Sequence, residues 1–272
     1  MKNIFDCHVH SYFSEDSELS MAEAILYAME KGLGGLAFTD HVDLGYPYAE
    51  DYPVLDYEEY TRQIRKLQRK VYPGFKVLTG IELGLQHDNL QDNQAFMRDK
   101  DFDFVIGSIH SIDGEPLAEG DVFQTRDIDD VFSRFLQYTY EVISNYSNFD
   151  VLGHLDIIRR YSGNLEHNLS IDKHQELVDA ILKALIDKGK GIEVNTSGIR
   201  YGLNSFHPEF WVLQRYNQLG GKVVTIGSDA HRLEGIGTYF KQGIEMINQA
   251  GFKYITYFKK REPEFLPISK VG

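Results

Sequence analysis

Residues 5–16 read FDCHVHSYFSED, and the fold turns on how that stretch is read. A short apolar run ends in two histidines, His8 and His10, and acids follow at Glu15 and Asp16. Residues two apart on a β-strand share a face, so a strand over 3–10 brings both imidazoles to one spot at its carboxyl end. The next segment changes period: Ser20 to Glu23, SMAE, has the spacing of a capping box, opening a helix over 21–31. The unit is therefore strand, polar loop, helix, with ionisable groups where the strand stops.

The unit recurs along the chain. Further strands are expected at 35–42, 76–83, 104–110, 151–157, 191–196 and 222–228. Further helices are expected near 57–71, 127–145, 173–188, 208–219 and 239–250, with a weaker one at 89–99. Gly32, Gly189 and Gly220 stand where helices should stop. Seven strand-then-helix units predict an α/β fold with parallel strands and crossover helices. A closed barrel and an open doubly wound sheet both fit, and in either one ligands gather at the carboxyl ends of the strands. The tail YITYFKKREPEFLPIS (254–269) reads as one short extra strand with irregular cover. No linker or repeat divides residues 1–272, which are read as a single domain.

Bulk composition narrows the function. The chain of 272 residues is 42% hydrophobic and 25% charged, ordinary for a globular protein. Its 41 acidic and 28 basic residues give a net charge of −13, so no nucleic-acid partner is expected. Cys7 is the only cysteine; it reads as buried packing and excludes an internal disulfide. The opening MKNIFDCHVH carries no apolar run of signal-peptide length, and no segment is long enough to span a membrane. A cytoplasmic protein without membrane contact is expected; the oligomeric state is left open.

The ten histidines point to the chemistry. His8 and His10 end the first predicted strand, His41 the second (AFTDH), His110 the fourth (VIGSIH) and His154 the fifth (VLGH), while His231 follows the seventh (VTIGSDAH). Glu82 ends the third strand (LTGIEL), and Asp229 stands two residues before His231. Any one of these alone is an ordinary polar residue at a strand end. Six imidazoles and two carboxylates at the same end of one sheet would leave polar groups poorly satisfied without an ion, so a polynuclear metal site is expected. Imidazoles mixed with carboxylates, without thiolates, suit zinc, manganese or iron. His87, His167, His174 and His207 lack this placement and read as structural, with His207 the best-placed exception.

These motifs, HVH, TDH, GIE, IGSIH, GHLD and GSDAH in that order over residues 6–231, resemble the polymerase-and-histidinol-phosphatase (PHP) superfamily. DFVIGSIHSIDGEPL, VLGHLDIIRRY and EVNTSGIR resemble its histidinol-phosphatase branch more narrowly. The resemblance implies a distorted, TIM-like (β/α)7 barrel with its active site at the carboxyl ends of the strands. It implies three divalent metal ions (Zn, Mn or Fe). His8, His10, Glu82 and Asp229 would hold the first; a bridging Glu82 with His110 and His154 the second; Asp16, His41 and His231 the third. Asp16 stands where other members place a histidine, and the neighbouring Glu15 competes for the role.

The implied activity is hydrolysis of a small phosphate monoester, L-histidinol phosphate, in histidine biosynthesis. Two metals sharing a carboxylate hold a bridging hydroxide, because coordination drops the pKa of water toward about 7. Glu82, Asp229 and His231 form the expected catalytic set, with Asp40 a candidate to orient a ligand. For substrate contacts, Arg160 and Arg200 would fork onto phosphate oxygens, with surface pairing the alternative and the stronger reading for Arg159. Ser228 would donate near the metals, and Asp43 and Glu115 would face a cationic imidazole. Two other readings stand beside this one. One is a PHP-type phosphoesterase acting on a nucleotide, a DNA end or phosphotyrosine. The other is a metal-stabilised module without turnover, disfavoured because every expected ligand position holds a competent side chain.

Overall fold

The computed structural model describes residues 3–47, 54–70, 74–118, 122, 127–162 and 171–271. Strand β1 (Phe5–Val9) is buried at every position, as a strand covered on both faces must be. A polar loop leads to helix α1 (Met21–Glu30), where Met21, Ala24, Ile25 and Ala28 recur at helical spacing and form its buried stripe. The pattern continues through β2 (Gly35–Phe38), its short continuation β3 (His41–Val42), α2 (Tyr57–Gln68), β4 (Lys76–Gly84), α3 (Leu90–Met97) and β5 (Phe104–Ser108). A small hairpin of β6 (Ser111–Ile112) and β7 (Glu115–Pro116) precedes α4 (Ile128–Asn145). Then come β8 (Val151–Leu152), α5 (Ile171–Asp187), β9 (Gly191–Asn195), α6 (Phe210–Gln218), β10 (Val224–Gly227) and α7 (Phe240–Gln249).

Seven strands pair in parallel in the order β1-β2-β4-β5-β8-β9-β10. The last meets the first only at the upper rim: the His10 N–H donates to the Ala230 carbonyl at 2.9 Å, and the Asp229 N–H to the His8 carbonyl at 2.8 Å. The sheet is thus a nearly closed, distorted barrel, and the open-sheet alternative falls. Its lower interior is filled by Phe5, Cys7, Ala37, Leu78, Phe104, Ile106, Val151 and Phe258, with Cys7 serving as packing.

Phe258 comes from the tail, which is more regular than its sequence suggests. Strands β11 (Tyr254–Lys259) and β12 (Glu262–Pro267) form an antiparallel hairpin. Phe258 stacks on Phe104 at 5.2 Å between ring centroids, and the Arg261 Nε donates to both Asp150 oxygens at 2.7 and 2.6 Å. The hairpin seals the amino-terminal end of the barrel.

Other expectations are corrected by local geometry. Ser20 precedes α1 but its side chain makes no capping hydrogen bond, whereas Asp56 accepts from the Glu59 N–H at 3.1 Å and Asp127 from the Asp129 N–H at 2.9 Å. The second strand breaks at Thr39–Asp40 before resuming as β3. The fifth stops at Leu152, because the chain turns at His154 into a 3-10 segment, Ile157–Tyr161. Gly32, Gly189 and Gly220 do end helices, with φ of 77°, 67° and 97°. No helix among the described residues is long and apolar enough to cross a membrane. His167, read from the sequence as a structural residue, lies outside the described residues.

Candidate metal centre

The carboxyl ends of the strands bring their imidazoles together around one carboxylate. Glu82, on β4 and 1% exposed, has Oε1 at 2.8 Å from His154 Nε2 and 3.3 Å from His110 Nε2. Its Oε2 lies 3.2 Å from His8 Nε2, 3.4 Å from His10 Nε2 and 3.2 Å from His41 Nδ1. Ser108, at the end of β5, donates to Oε1 at 2.6 Å. The sixth imidazole, His231, stacks on His10 at 3.9 Å and reaches Asp16 Oδ2 at 3.0 Å. Asp229 Oδ1 is 3.4 Å from His10 Nε2 and 3.6 Å from His231 Nδ1. Asp229 itself has a positive φ of 54°, so strand geometry does not persist to His231; a left-handed turn brings both side chains inward instead.

A second ring of side chains fixes which nitrogen each ligand presents. His8 Nδ1 pairs with Glu193 Oε1 at 2.7 Å. Glu193, on β9, also accepts from the His154 N–H at 3.0 Å and Asn195 Nδ2 at 3.1 Å. Its room depends on Gly227, where a Cβ would lie 2.4 Å from Glu193 Oε1 and 2.4 Å from the His8 Cβ. His10 Nδ1 pairs with Ser14 Oγ at 3.0 Å, and Ser14 donates to Asp40 Oδ1 at 2.8 Å. Asp40 also accepts from the Ser11 N–H and hydroxyl, which fixes the loop after β1. His110 Nδ1 pairs with Asp43 Oδ1 at 2.8 Å.

The chemistry of this donor set fits metal ions. His8 Nε2 and His10 Nε2 face each other 3.1 Å apart, two nitrogens that one shared cation would satisfy together. Among the described residues, Glu82 Oε2 and His41 Nδ1, 3.2 Å apart, are buried without a hydrogen-bond partner. Orphaned buried acceptors of this kind are costly unless a cation satisfies them. Four groups bring ligand atoms within 4.8 Å of one another: His8–His10–Glu82, Glu82–His110–His154, His10–His41–His231 and His41–Asp43–His110.

Without an ion, the imidazoles and carboxylates pair as opposite charges: burial opposes protonation of His8 and His110, but Glu193, Asp43 and Glu82 raise both well above an ordinary imidazole. Burial disfavours the charged Glu82 carboxylate, but His8, His110 and His41 hold it well below the usual range. Burial also opposes ionised Asp229, which His8, His10 and Arg160 bring well down. Burial and the charges of His231 and His41 push His10 far below an ordinary imidazole, leaving it neutral.

The other expected site residues fall into two groups. Arg160 lines the cleft, donates to Asp229 Oδ2 at 2.9 Å and to the Ser197 hydroxyl, and lies 3.9 Å over the Tyr201 ring. Asp16, Glu15 and Asp43 also line it, but Asp43 is engaged by His110 and His41 rather than open to a substrate cation. Asp16 reaches both His231 and His41; no such contact is made by Glu15 among the described residues.

Three substrate-contact expectations are corrected. Arg200 is not on the cleft: its Nη2 donates to the carbonyls of Ser228 and Asp229 at 2.6 and 2.9 Å, bracing that turn. Ser228 faces away, with its hydroxyl on Asp6 Oδ2 at 2.6 Å and its N–H on Oδ1 at 2.9 Å. Glu115 pairs within the β6–β7 hairpin, and Leu117 and Ala118 meet the cleft in its place. Arg159 is buried against Asp156 and Glu209. His87 and His174 pair with Glu141 and Asp129, and His207 pairs with Asp156 close enough to His154 and Arg160 to feel their charges.

Sequence reasoning missed Glu193, although an acid between Ile192 and Val194 inside a buried strand was a signal. It also missed Tyr46, Tyr161 and Tyr201, which with Ile109 and Ile157 give the cleft of about 460 Å³ an aromatic and apolar wall.

A seven-stranded α/β barrel with this rim of imidazoles and carboxylates defines a metal-binding barrel. The chain belongs to the PHP domain family, whose model matches residues 6–197. It is 31% identical to the probable histidinol-phosphatase of Clostridium acetobutylicum, over 95% of this chain and 98% of that one. It is 30% identical to the histidinol-phosphatase of Lactococcus lactis, over 93% of both chains. The crystal structure of histidinol phosphate phosphatase from Lactococcus lactis, complexed with zinc, L-histidinol and phosphate, superposes with a TM-score of 0.85 at 26% identity, covering 96% of this chain and 98% of that one.

Proposed function

We propose that this protein is a metal-dependent phosphatase that hydrolyses L-histidinol phosphate to L-histidinol and phosphate, serving histidine biosynthesis in the cytoplasm. The observation that carries this reading is Glu82, within 3.4 Å of five imidazoles at the mouth of a barrel like that of the zinc-, histidinol- and phosphate-bound relative. In this reading His8, His10, Glu82 and Asp229 hold one ion, Glu82 with His110 and His154 a second, and Asp16, His41 and His231 a third, with zinc, manganese or iron as the occupant. Bound metals neutralise phosphoryl oxygens and lower the pKa of a water toward about 7, making a nucleophile without a protein base.

The chain's own residues do the positioning. Glu193, Ser14 and Asp43 hold the outward nitrogens of His8, His10 and His110, so the inward nitrogens keep fixed directions. Arg160 lines the cleft and is anchored there by Asp229 and Ser197, which sets its guanidinium beside the metal ligands as a positive charge for a phosphoryl group. The tyrosine and isoleucine wall excludes water from the organic half of the substrate.

Phosphate release from L-histidinol phosphate, para-nitrophenyl phosphate and a dinucleotide diester, with zinc or manganese supplied, tests the reading. The expected result is a kcat/KM for L-histidinol phosphate within about 10⁴–10⁸ M⁻¹s⁻¹ and far above the other two. Comparable weak turnover of both monoesters would return the substrate to the wider phosphoesterase class. Full activity after exhaustive chelation would remove the metals from the mechanism.

A further inference from the structure

At the sealed end of the barrel, opposite the metal centre, lies an open groove of about 710 Å³. Its walls come from four separate elements: α2, the start of β4, the loop before β5 and the tip of the β11–β12 hairpin. They contribute six cations, Arg65, Lys76, Lys100, Lys259, Lys260 and Arg261, against two acids, Asp101 and Asp103. Asp103 is already engaged, accepting from the Thr79 and Lys260 N–H groups at 3.0 and 3.1 Å. Arg261 is paired with Asp150, but none of the other five cations has a carboxylate partner among the described residues. On a chain of net charge −13, acids are in excess overall, yet this groove carries three cations for each acid. Like charges so gathered repel one another unless an anion sits among them.

The hairpin tip adds a second observation. Lys260 and Arg261 occupy its two central positions with φ of 53° and 65°. A two-residue turn of this shape favours Asn-Gly, and consecutive long cationic side chains there hold the backbone in an uncomfortable region. The turn places Lys259 and Lys260 on the groove wall at a cost that glycine would remove.

We propose that this groove binds a small polyphosphate, of the size and charge of a nucleoside triphosphate. Its volume falls within the range of small-ligand sites, and cations on facing walls match several phosphates better than one. Phe75, partly exposed at the rim, offers a surface for an attached ring. The proposal is independent of what the metal centre hydrolyses.

The test is calorimetric titration of the metal-loaded protein with ATP and with inorganic tripolyphosphate, while monitoring metal content. Saturable binding of both is expected, weakening steeply as salt rises from ~50 to ~200 mM. The double variant K100E/K260E should weaken it at least tenfold, and Lys259→Glu should weaken it less, in the same direction. Lys260→Gly separates recognition from folding, because it relaxes the turn and should raise the melting temperature while weakening the anion. Arg160→Ala, in the other cleft, should leave the affinity unchanged. Three results would overturn the proposal: no binding at millimolar probe, affinity lost in Arg160→Ala but kept in the double variant, or a single-stranded oligonucleotide binding far more tightly than ATP through the same lysines.

Discussion

The two ends of the barrel are made from the same strands and follow opposite rules. Along β4, Leu78 packs into the apolar interior while Glu82, four residues further on the same face, stands among imidazoles. Along β5, Phe104 and Ile106 fill the lower interior and Ser108 donates to Glu82. The lower end is finished by contacts within the protein, down to the Phe258 ring that closes it. Among the described residues, the upper end leaves Glu82 Oε2 and His41 Nδ1 buried without hydrogen-bond partners, a donor set suited to divalent ions. Stability and chemistry are thus separated by a few residues along each strand, and a substitution can damage one while sparing the other.

Glu82→Gln puts that separation to its hardest test. It should lower kcat by about 10³-fold or more, since in the proposed reading this carboxylate is shared by two ion sites and carries several kcal/mol of charge stabilisation, while circular dichroism stays native. Loss of the fold itself would show that the upper end also holds the barrel together. Phe104→Ala is the converse: 1% exposed and stacked on Phe258, it should cost about 3–5 kcal/mol in denaturant unfolding while the folded fraction keeps its kcat. A lower kcat per folded molecule would show that the two ends are coupled.

Glu193→Gln reads the boundary between them. It keeps the size of the side chain but weakens its hold on His8 Nδ1, and should reduce metal affinity about 10–100-fold, measured by competition with a chromogenic chelator. An unchanged affinity would reduce Glu193 to a structural acceptor. The smallest effects lie outside the barrel. Asp56→Ala should cost about 1 kcal/mol, because its carboxylate caps α2, and Ser20→Ala close to nothing, because its hydroxyl caps no N–H. Equal costs would mean that the caps are set by backbone alone.

The alternation of strands and helices, and the end of the sheet that carries the chemistry, were readable because both are periodic. Strand ends mark one rim whatever the closure, so His8, His10, His41, Glu82, His110 and His154 could be placed together from spacing alone. Closure could not be read: it rests on His10 and Asp229 meeting main-chain partners across more than two hundred residues. Arg200 and Ser228 were misassigned for a related reason. Both follow strand ends, as ligands do, but the left-handed turn at Asp229 aims one set of donors inward and leaves the other to brace it. Ser20 matched a capping pattern whose geometry is decided by a χ angle that spacing does not encode. The basic groove escaped notice because its lysines and arginines are scattered over four elements, and only folding makes them neighbours.

The hairpin that closes the lower end also sets the traffic through the molecule. With Phe5, Phe104, Phe258 and their neighbours packed below the imidazoles, the described residues leave no passage through the barrel floor, and what enters the cleft leaves by the mouth it came through. Both products of a hydrolysis must therefore clear the same doorway the next substrate needs. Released phosphate competes with the next substrate for that threshold, and slowing of turnover by added phosphate is the expected sign.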